Sequence, residues 1–367
     1  MRTFAPLLVA AILPLLLFHW FVPSPSGQID FWILWLLAMV VVGLPVIFAE
    51  VGLAYRSHQS PFSGMQKLTR EADASPMWRG FSWLSVWLSV LIASLSIVSL
   101  SQDLLASTEL MGLQINVPAF ALAVGLVVIV TLLSLLAEQL LLLGLVCIIA
   151  ALLWAGISTG TDGLIPPFTM TETNLNEWAS AVMMALVSVG AGTGLYWFSK
   201  GREQELSVAQ DTKNSIQYIA SKAVFPIWVT QLIIGIFALI MSNVVLPPIA
   251  LFIYGIGVVI LSGYVIHYAS SQLAVKFGRW IGLLISFIIT SIMVAVGPQS
   301  LLLTLLVISS FIAVLILAIF SGWQMKISHM RKSLNFSSEA TYNLWRVAIR
   351  LVVPLLVILG FVGWFLR

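Results

Sequence analysis

The chain has 367 residues, of which 60% are hydrophobic and only 8% charged, with a net charge of +3 and a mean hydropathy of +1.06. Soluble domains carry about 25% charged residues, so the composition excludes a soluble globular protein and points to a polytopic protein of the lipid bilayer, with room for roughly a dozen spans of about 20 residues. The single cysteine, Cys147, excludes an internal disulfide framework and a cysteine-built metal site; the small positive balance lies in loops and reads as topology, not as nucleic-acid binding.

The N-terminal stretch "MRTFAPLLVAAILPLLLFHW" has one Arg followed by an apolar run. That run, about 18 residues, is too long for the core of a signal peptide, and no small-residue cleavage site follows, so it is expected to be the first transmembrane helix. Apolar runs predict eleven helices, near 4–22, 31–54, 80–102, 117–137, 139–157, 178–198, 223–241, 246–269, 279–296, 299–321 and 346–366. The fourth and fifth meet at "AEQ", where Glu138 is expected to cap a tight hairpin. The whole is read as one all-α membrane domain, 1–367: a first repeat over 4–157, a second over 178–321, and an extra helix at 346–366.

Lys and Arg fall in alternate loops. Arg56, Lys67, Arg70 and Arg79 follow span two. Lys200, Arg202, Lys213 and Lys222 follow span six. Lys276 and Arg279 follow span eight, and Lys326, Arg331, Lys332 and Arg346 follow span ten. The positive-inside rule then places the N-terminus in the cytoplasm and the C-terminus outside, in a multi-pass plasma (inner) membrane protein. The inner loop 199–222 is polar with helical spacing and is expected to form an interfacial helix.

Span six contains "VSVGAGTGLY" (187–196), with glycines at 190, 192 and 194. One reading is close helix packing through a G-x-x-x-G pair, Gly190 and Gly194. The other is a broken helix whose free N–H and C=O groups line a midplane cavity. Span one carries a second breaker, Pro14, five spans earlier, which is the offset of a 5+5 inverted repeat with helices one and six broken.

Four stretches resemble the neurotransmitter:sodium symporters. "GLPVIFAEVGLAYR" (43–56) is similar to that family's second helix, with Gly43, Pro45, Glu50 and Arg56 at or near its pattern positions. "EWASAVMMALVSVGAGTGLYWFS" (177–199) resembles its sixth. "LAVKFGRW" (273–280) resembles the start of its ninth, and "FSGWQM" with "LWRVAIRLVVPLLVI" (320–325, 344–358) resembles its tenth-helix end and its eleventh. The resemblance implies a secondary transporter of a small amino acid or related zwitterion, working by alternating access at a site between helices one and six and coupled to Na+, with proton-coupled (H+) or uncoupled transport as the alternative. Ser188, Gly190, Gly192 and Thr193 would line that site, with Leu16, Leu17 and Phe18 opposite. The first helix departs from the family: "PLLLFHWFVP" keeps Trp20 and the prolines, but Leu17, Phe18 and Phe21 stand where glycines, an Asn and a gating Arg belong. No acid lies in 299–321 for the tenth-helix gate, and the eighth-helix Thr-Ser pair is reduced to Ser262.

Ionisable groups inside spans are functional candidates. Glu50 either pairs with Arg56 or Arg79 near the inner interface or carries a coupling proton. Lys222 either snorkels to the cytoplasm or replaces a sodium ion. His19 and His267 are either core histidines or proton carriers. No metal-ligand spacing, H-E-x-x-H or nucleophile elbow is present, so neither an enzyme nor a confident metal site is expected, and no cofactor beyond the coupling ion. The competing reading is a degenerate transporter fold acting as a sensor or partner subunit, with a homo-oligomer or an unknown membrane partner left open.

Overall fold

The computed structural model describes residues 4–22, 28–111, 117–159, 169–170, 174–190, 192–210, 220–242 and 244–366, with the side chains of 110, 159, 187–189 and 204–210 outside the description. In chain order the helices are α1 (Ala5–Leu17), α2 (Ile29–Ala38), α3 (Leu44–Ser57), α4 (Pro61–Glu71), α5 (Gly80–Leu110), α6 (Ala119–Leu133), α7 (Ala137–Thr159) and α8 (Leu175–Val189). Then come α9 (Leu195–Gln210), α10 (Ala220–Met241), α11 (Pro248–Phe277), α12 (Arg279–Val296), α13 (Gln299–Ile319), α14 (Ile327–Leu334), α15 (Glu339–Val347) and α16 (Val353–Phe365). Each apolar run read from the sequence falls on one or two of these helices.

Among the described residues, eight runs are long and apolar enough to cross a membrane. The difference from eleven has three sources. The run 119–158 is counted once, although its 40 residues would reach about 60 Å as one helix, twice the hydrocarbon thickness; a 3-10 turn at Ser134–Leu136 divides it. The first segment, Ala5–Trp20, is short. The sixth is interrupted between α8 and α9.

Two wider, π-type turns have a common cause. In Met39–Gly43 the N–H of Leu44 reaches back to the Met39 carbonyl, and Pro45 follows. In Ala348–Val352 the N–H of Val353 reaches the Ala348 carbonyl, and Pro354 follows. A proline ring pushes away the carbonyl four residues back and offers no N–H, so the chain gains a residue in the preceding turn. Trp228 Nε1 donates to the Met39 carbonyl at 3.0 Å, which ties α10 to that turn. A third π-type turn, Phe320–Gln324, packs against the second, and Arg350 donates to the Gly322 carbonyl.

The 199–222 loop differs from expectation. Residues up to Gln210 continue α9 without a break, because Leu195–Ser199 and the polar run after them share one helical register. The rest of that loop lies outside the described residues. Around the break, α1 packs on α8, α9 and α10, while α3 packs on α9, α10 and α13. α5 and α11 pack closely side by side. Small residues allow this, as in a bilayer where close van der Waals packing drives association: a Cβ on Gly255 of α11 would stand 3.1 Å from Leu100 of α5.

Candidate functional site: a glycine break capped by Glu50, and an outer cleft

The sixth segment breaks at its glycines. Gly190, Gly192 and Gly194 have φ of +63°, +80° and +74°, a region that costs an L side chain about 1–2 kcal/mol. They are therefore backbone hinges, not a helical packing face. Each is also hemmed in by a different helix: an added Cβ would meet Leu13 Cδ1 of α1 at 2.7 Å from Gly190, Ala313 Cβ of α13 at 2.8 Å from Gly192, and the Tyr268 hydroxyl of α11 at 2.6 Å from Gly194. The Thr193 hydroxyl donates to the Gly190 carbonyl at 2.6 Å and accepts from the Leu195 N–H at 3.4 Å, so it ties the turn to itself. The Ser188 side chain lies outside the described residues.

The first four N–H groups of a helix lack intrahelical partners, and at α9 a carboxyl group supplies one. Glu50, on α3 and only 1% exposed, takes the Trp197 N–H on Oε1 at 3.2 Å; the amides of Gly192 and Tyr196 face the same carboxyl group. Burial at a helix N-terminus suits an acid group, since the dipole presents positive charge there. Neither ion pair expected for Glu50 forms. Arg56 instead meets Glu71 at 2.8 Å, and Arg79 donates to Thr69 at 3.0 Å. Both Arg side chains find partners on α4, which the sequence left as loop. Trp197 anchors the same region by donating from Nε1 to the Gln59 carbonyl at 2.9 Å. The Tyr196 hydroxyl lies against Gln231 of α10, and Tyr268 donates to Ser85 of α5 at 2.9 Å.

The first segment departs from helical geometry at Leu17, not at Pro14. α1 runs through Pro14, and Leu17 has φ −120°, ψ −10° before a single 3-10 turn, Phe18–Trp20. Leu17 is fully buried. Phe18 stacks edge-on against Trp35, with centroids 6.1 Å apart. Leu16 and Phe18 line a cleft of about 150 Å³ together with His19, Ser96, Ser99, Asp103, Ser242 and Tyr254. It lies at the end of the bundle away from the Lys- and Arg-rich segments, between α1, α5, α7, α10 and α11.

His267 and Glu138 meet at the opposite end. Arg202 of α9 bonds Glu138 at 3.1 Å, with His267 Nε2 3.8 Å from the same carboxylate and 3.4 Å from Arg202 Nη1. Glu138 stands in the first turn of α7, as a hairpin cap would, but its partner comes from the broken helix. Lys222 is exposed in the first turn of α10. The Ser262 hydroxyl is fully buried and, among the described residues, has no hydrogen-bond partner. Among the described residues no three or more His, Cys, Asp or Glu gather as a metal site would require.

Sequence reasoning missed Asp103, Gln231, Tyr268 and Ala313. Asp103 fell one residue beyond the predicted end of span three, yet α5 continues to Leu110. The spacing of Ser96, Ser99 and Asp103, three and four apart, marks one helical face and was the available signal.

No family model and no curated protein matches this sequence. Among solved structures, the chain matches a crystal structure of MhsT in complex with L-phenylalanine, with a TM-score of 0.72 and 16% identity over 98% of each chain. The chain thus has the fold of the transporter MhsT over nearly its whole length, a multi-pass helical membrane fold.

Proposed function

We propose that this chain is a divergent member of the neurotransmitter:sodium symporters, a secondary active transporter of a small amino acid or related zwitterion, built as an inverted 5+5 repeat. The observation that carries the reading is the glycine break. Three positive-φ glycines interrupt an apolar helix, and a carboxyl group from a helix distant in sequence is fitted to the donors they release. A helix needed only as a scaffold has no use for that arrangement. The fold shared with MhsT, crystallised with L-phenylalanine, supports the same class.

Glu50 changes the assignment of the half-helix ends. Because it holds the amides at the start of α9, a substrate carboxylate is not expected there. The end left for a ligand is the C-terminus of α8, whose last carbonyls carry negative character and favour a cation or an ammonium group. Ser188 would stand beside it, while Gly190, Gly192 and Thr193 shape the turn. Coupling to Na+ would draw on Ser262, whose buried hydroxyl has no protein partner.

The test is uptake into sealed proteoliposomes of a pooled, labelled amino-acid set, with and without an inward sodium gradient, at two external pH values. Uptake that follows either gradient is expected. Absence of both transport and binding for every member of the pool would overturn the reading.

A further inference from the structure

The outer cleft has a chemistry that the glycine break does not explain. Its walls are largely apolar, from Leu15, Leu16 and Leu100 to Val258. One carboxylate, Asp103, stands among hydroxyl groups: Ser99 lies 3.5 Å from its Oδ2, and Ser96, Ser242 and Tyr254 line the same space. Among the described residues no Lys or Arg pairs with Asp103. A lone carboxylate beside apolar walls attracts a cation. Calcium wants six to eight oxygen ligands, more than one carboxylate and scattered hydroxyls present. An alkylammonium group fits better, since its charge meets Asp103 while its carbons meet leucines. At about 150 Å³, against roughly 30 Å³ for a water, the space suits an amine with a short carbon chain.

We propose that this cleft is a recognition site for the ammonium group of an amino acid or small amine, with Asp103 as its counter-ion and Ser99 as its hydrogen-bonding neighbour. Its use as the entry station to the translocation path rests on the transport reading; its ability to bind an amine does not. His19 lines the cleft as a second titratable group. Charged, it would compete with the ligand for Asp103, so the site works best with His19 neutral.

The test places a cysteine at Ser99 in the full chain with Cys147→Ala. It measures labelling by cationic and anionic methanethiosulfonates of matched size, in potassium buffer well above the ordinary histidine range. Rates are expressed relative to a free thiol, which removes the intrinsic difference between reagents. The cationic reagent should be favoured by about tenfold, and D103N should abolish that preference. Ethylamine and L-alanine should slow labelling when Asp103 is present and have no effect in D103N, whereas propionate should have none in either. Equal preference with and without Asp103, no labelling at all, or protection by sodium chloride alone would overturn the proposal. Protection by amines without any uptake would sustain this site while removing the transport reading, and uptake with labelling indifferent to Asp103 would do the reverse.

Discussion

Removing the Glu50 carboxyl group should loosen the glycine break by a predictable amount. The Trp197 N–H sits 3.2 Å from Oε1, and the Gly192 and Tyr196 amides face the same group, all in a region closed to solvent. E50A leaves those donors without a protein acceptor. A buried donor left unsatisfied costs about 1–3 kcal/mol. If entering water serves one or two of the three amides, one or two stay unsatisfied and the total is about 1–6 kcal/mol. E50Q keeps one acceptor oxygen but points an NH2 group at N–H donors, so it should cost about 1–2 kcal/mol. Unfolding of the purified protein in mixed micelles would order the three as wild type, E50Q, E50A. Hydrogen exchange would give the local readout, with the Tyr196 and Trp197 amides fast in E50A and intermediate in E50Q. An E50A protein as stable as the wild type, with both amides still protected, would refute the capping role.

Further outcomes follow from individual contacts. G192A should cost about 2–5 kcal/mol, from left-handed backbone strain and overpacking together, and A313G should recover only part, because an added Cβ also lies 3.1 Å from the Ala313 carbonyl carbon and the Val314 nitrogen; full rescue in a double-mutant unfolding cycle would show that the strain is absent. S262A deletes a buried hydroxyl with no partner, so it should leave stability unchanged or raise it by up to about 1 kcal/mol, and in the sodium-gradient assay it should weaken any sodium dependence; sodium-driven uptake that survives intact would clear Ser262 of an ion-binding role. E138Q breaks a pair whose side chains are 40% and 53% exposed, so the cost to unfolding should stay below about 1 kcal/mol. Because the pair joins α9 to α7, a cysteine at Ser271, in the same cleft, should nonetheless label faster in E138Q, and an unchanged rate would mean that the pair does not hold that end closed.

The positions of the helices were legible because a bilayer leaves the backbone no other way to satisfy its own N–H and C=O groups, so apolar runs and helices coincide. The break in the sixth was one of two readings of its three glycines, the other being a packing face, and the positive φ at all three decides for the break. Its partners were not legible. Glu50 could find opposite charge in Arg56 six residues away, and only the tertiary arrangement shows that Arg56 goes to Glu71 while Glu50 goes to a backbone 147 positions on. Local charge counting ranks the nearer pair first, and a helix N-terminus offers no side-chain signal to compete with it. The inner loop misled for the opposite reason: its polar composition read as a separate surface helix, but α9 carries straight into it.

The altered first helix and the outer cleft bear on one another. Where the resemblance called for glycines and an Asn, the chain has Leu17 and Phe18. The structure buries Leu17 completely and turns Phe18, which lines the cleft, edge-on to Trp35, so this turn is apolar where polar ligands were expected. The polar groups near the turn come instead from α5, through Ser96, Ser99 and Asp103, and from His19 just beyond. An apolar turn cannot compensate the hydration lost by a bare ion, but it can face the carbon atoms of an amine whose charge is met across the cleft. The apolar residues of this turn and the carboxylate on α5 therefore form one consistent arrangement. On this view, restoring a polar residue at Phe18 alone should not create sodium dependence, because the carboxylate that fixes a cation stands on α5.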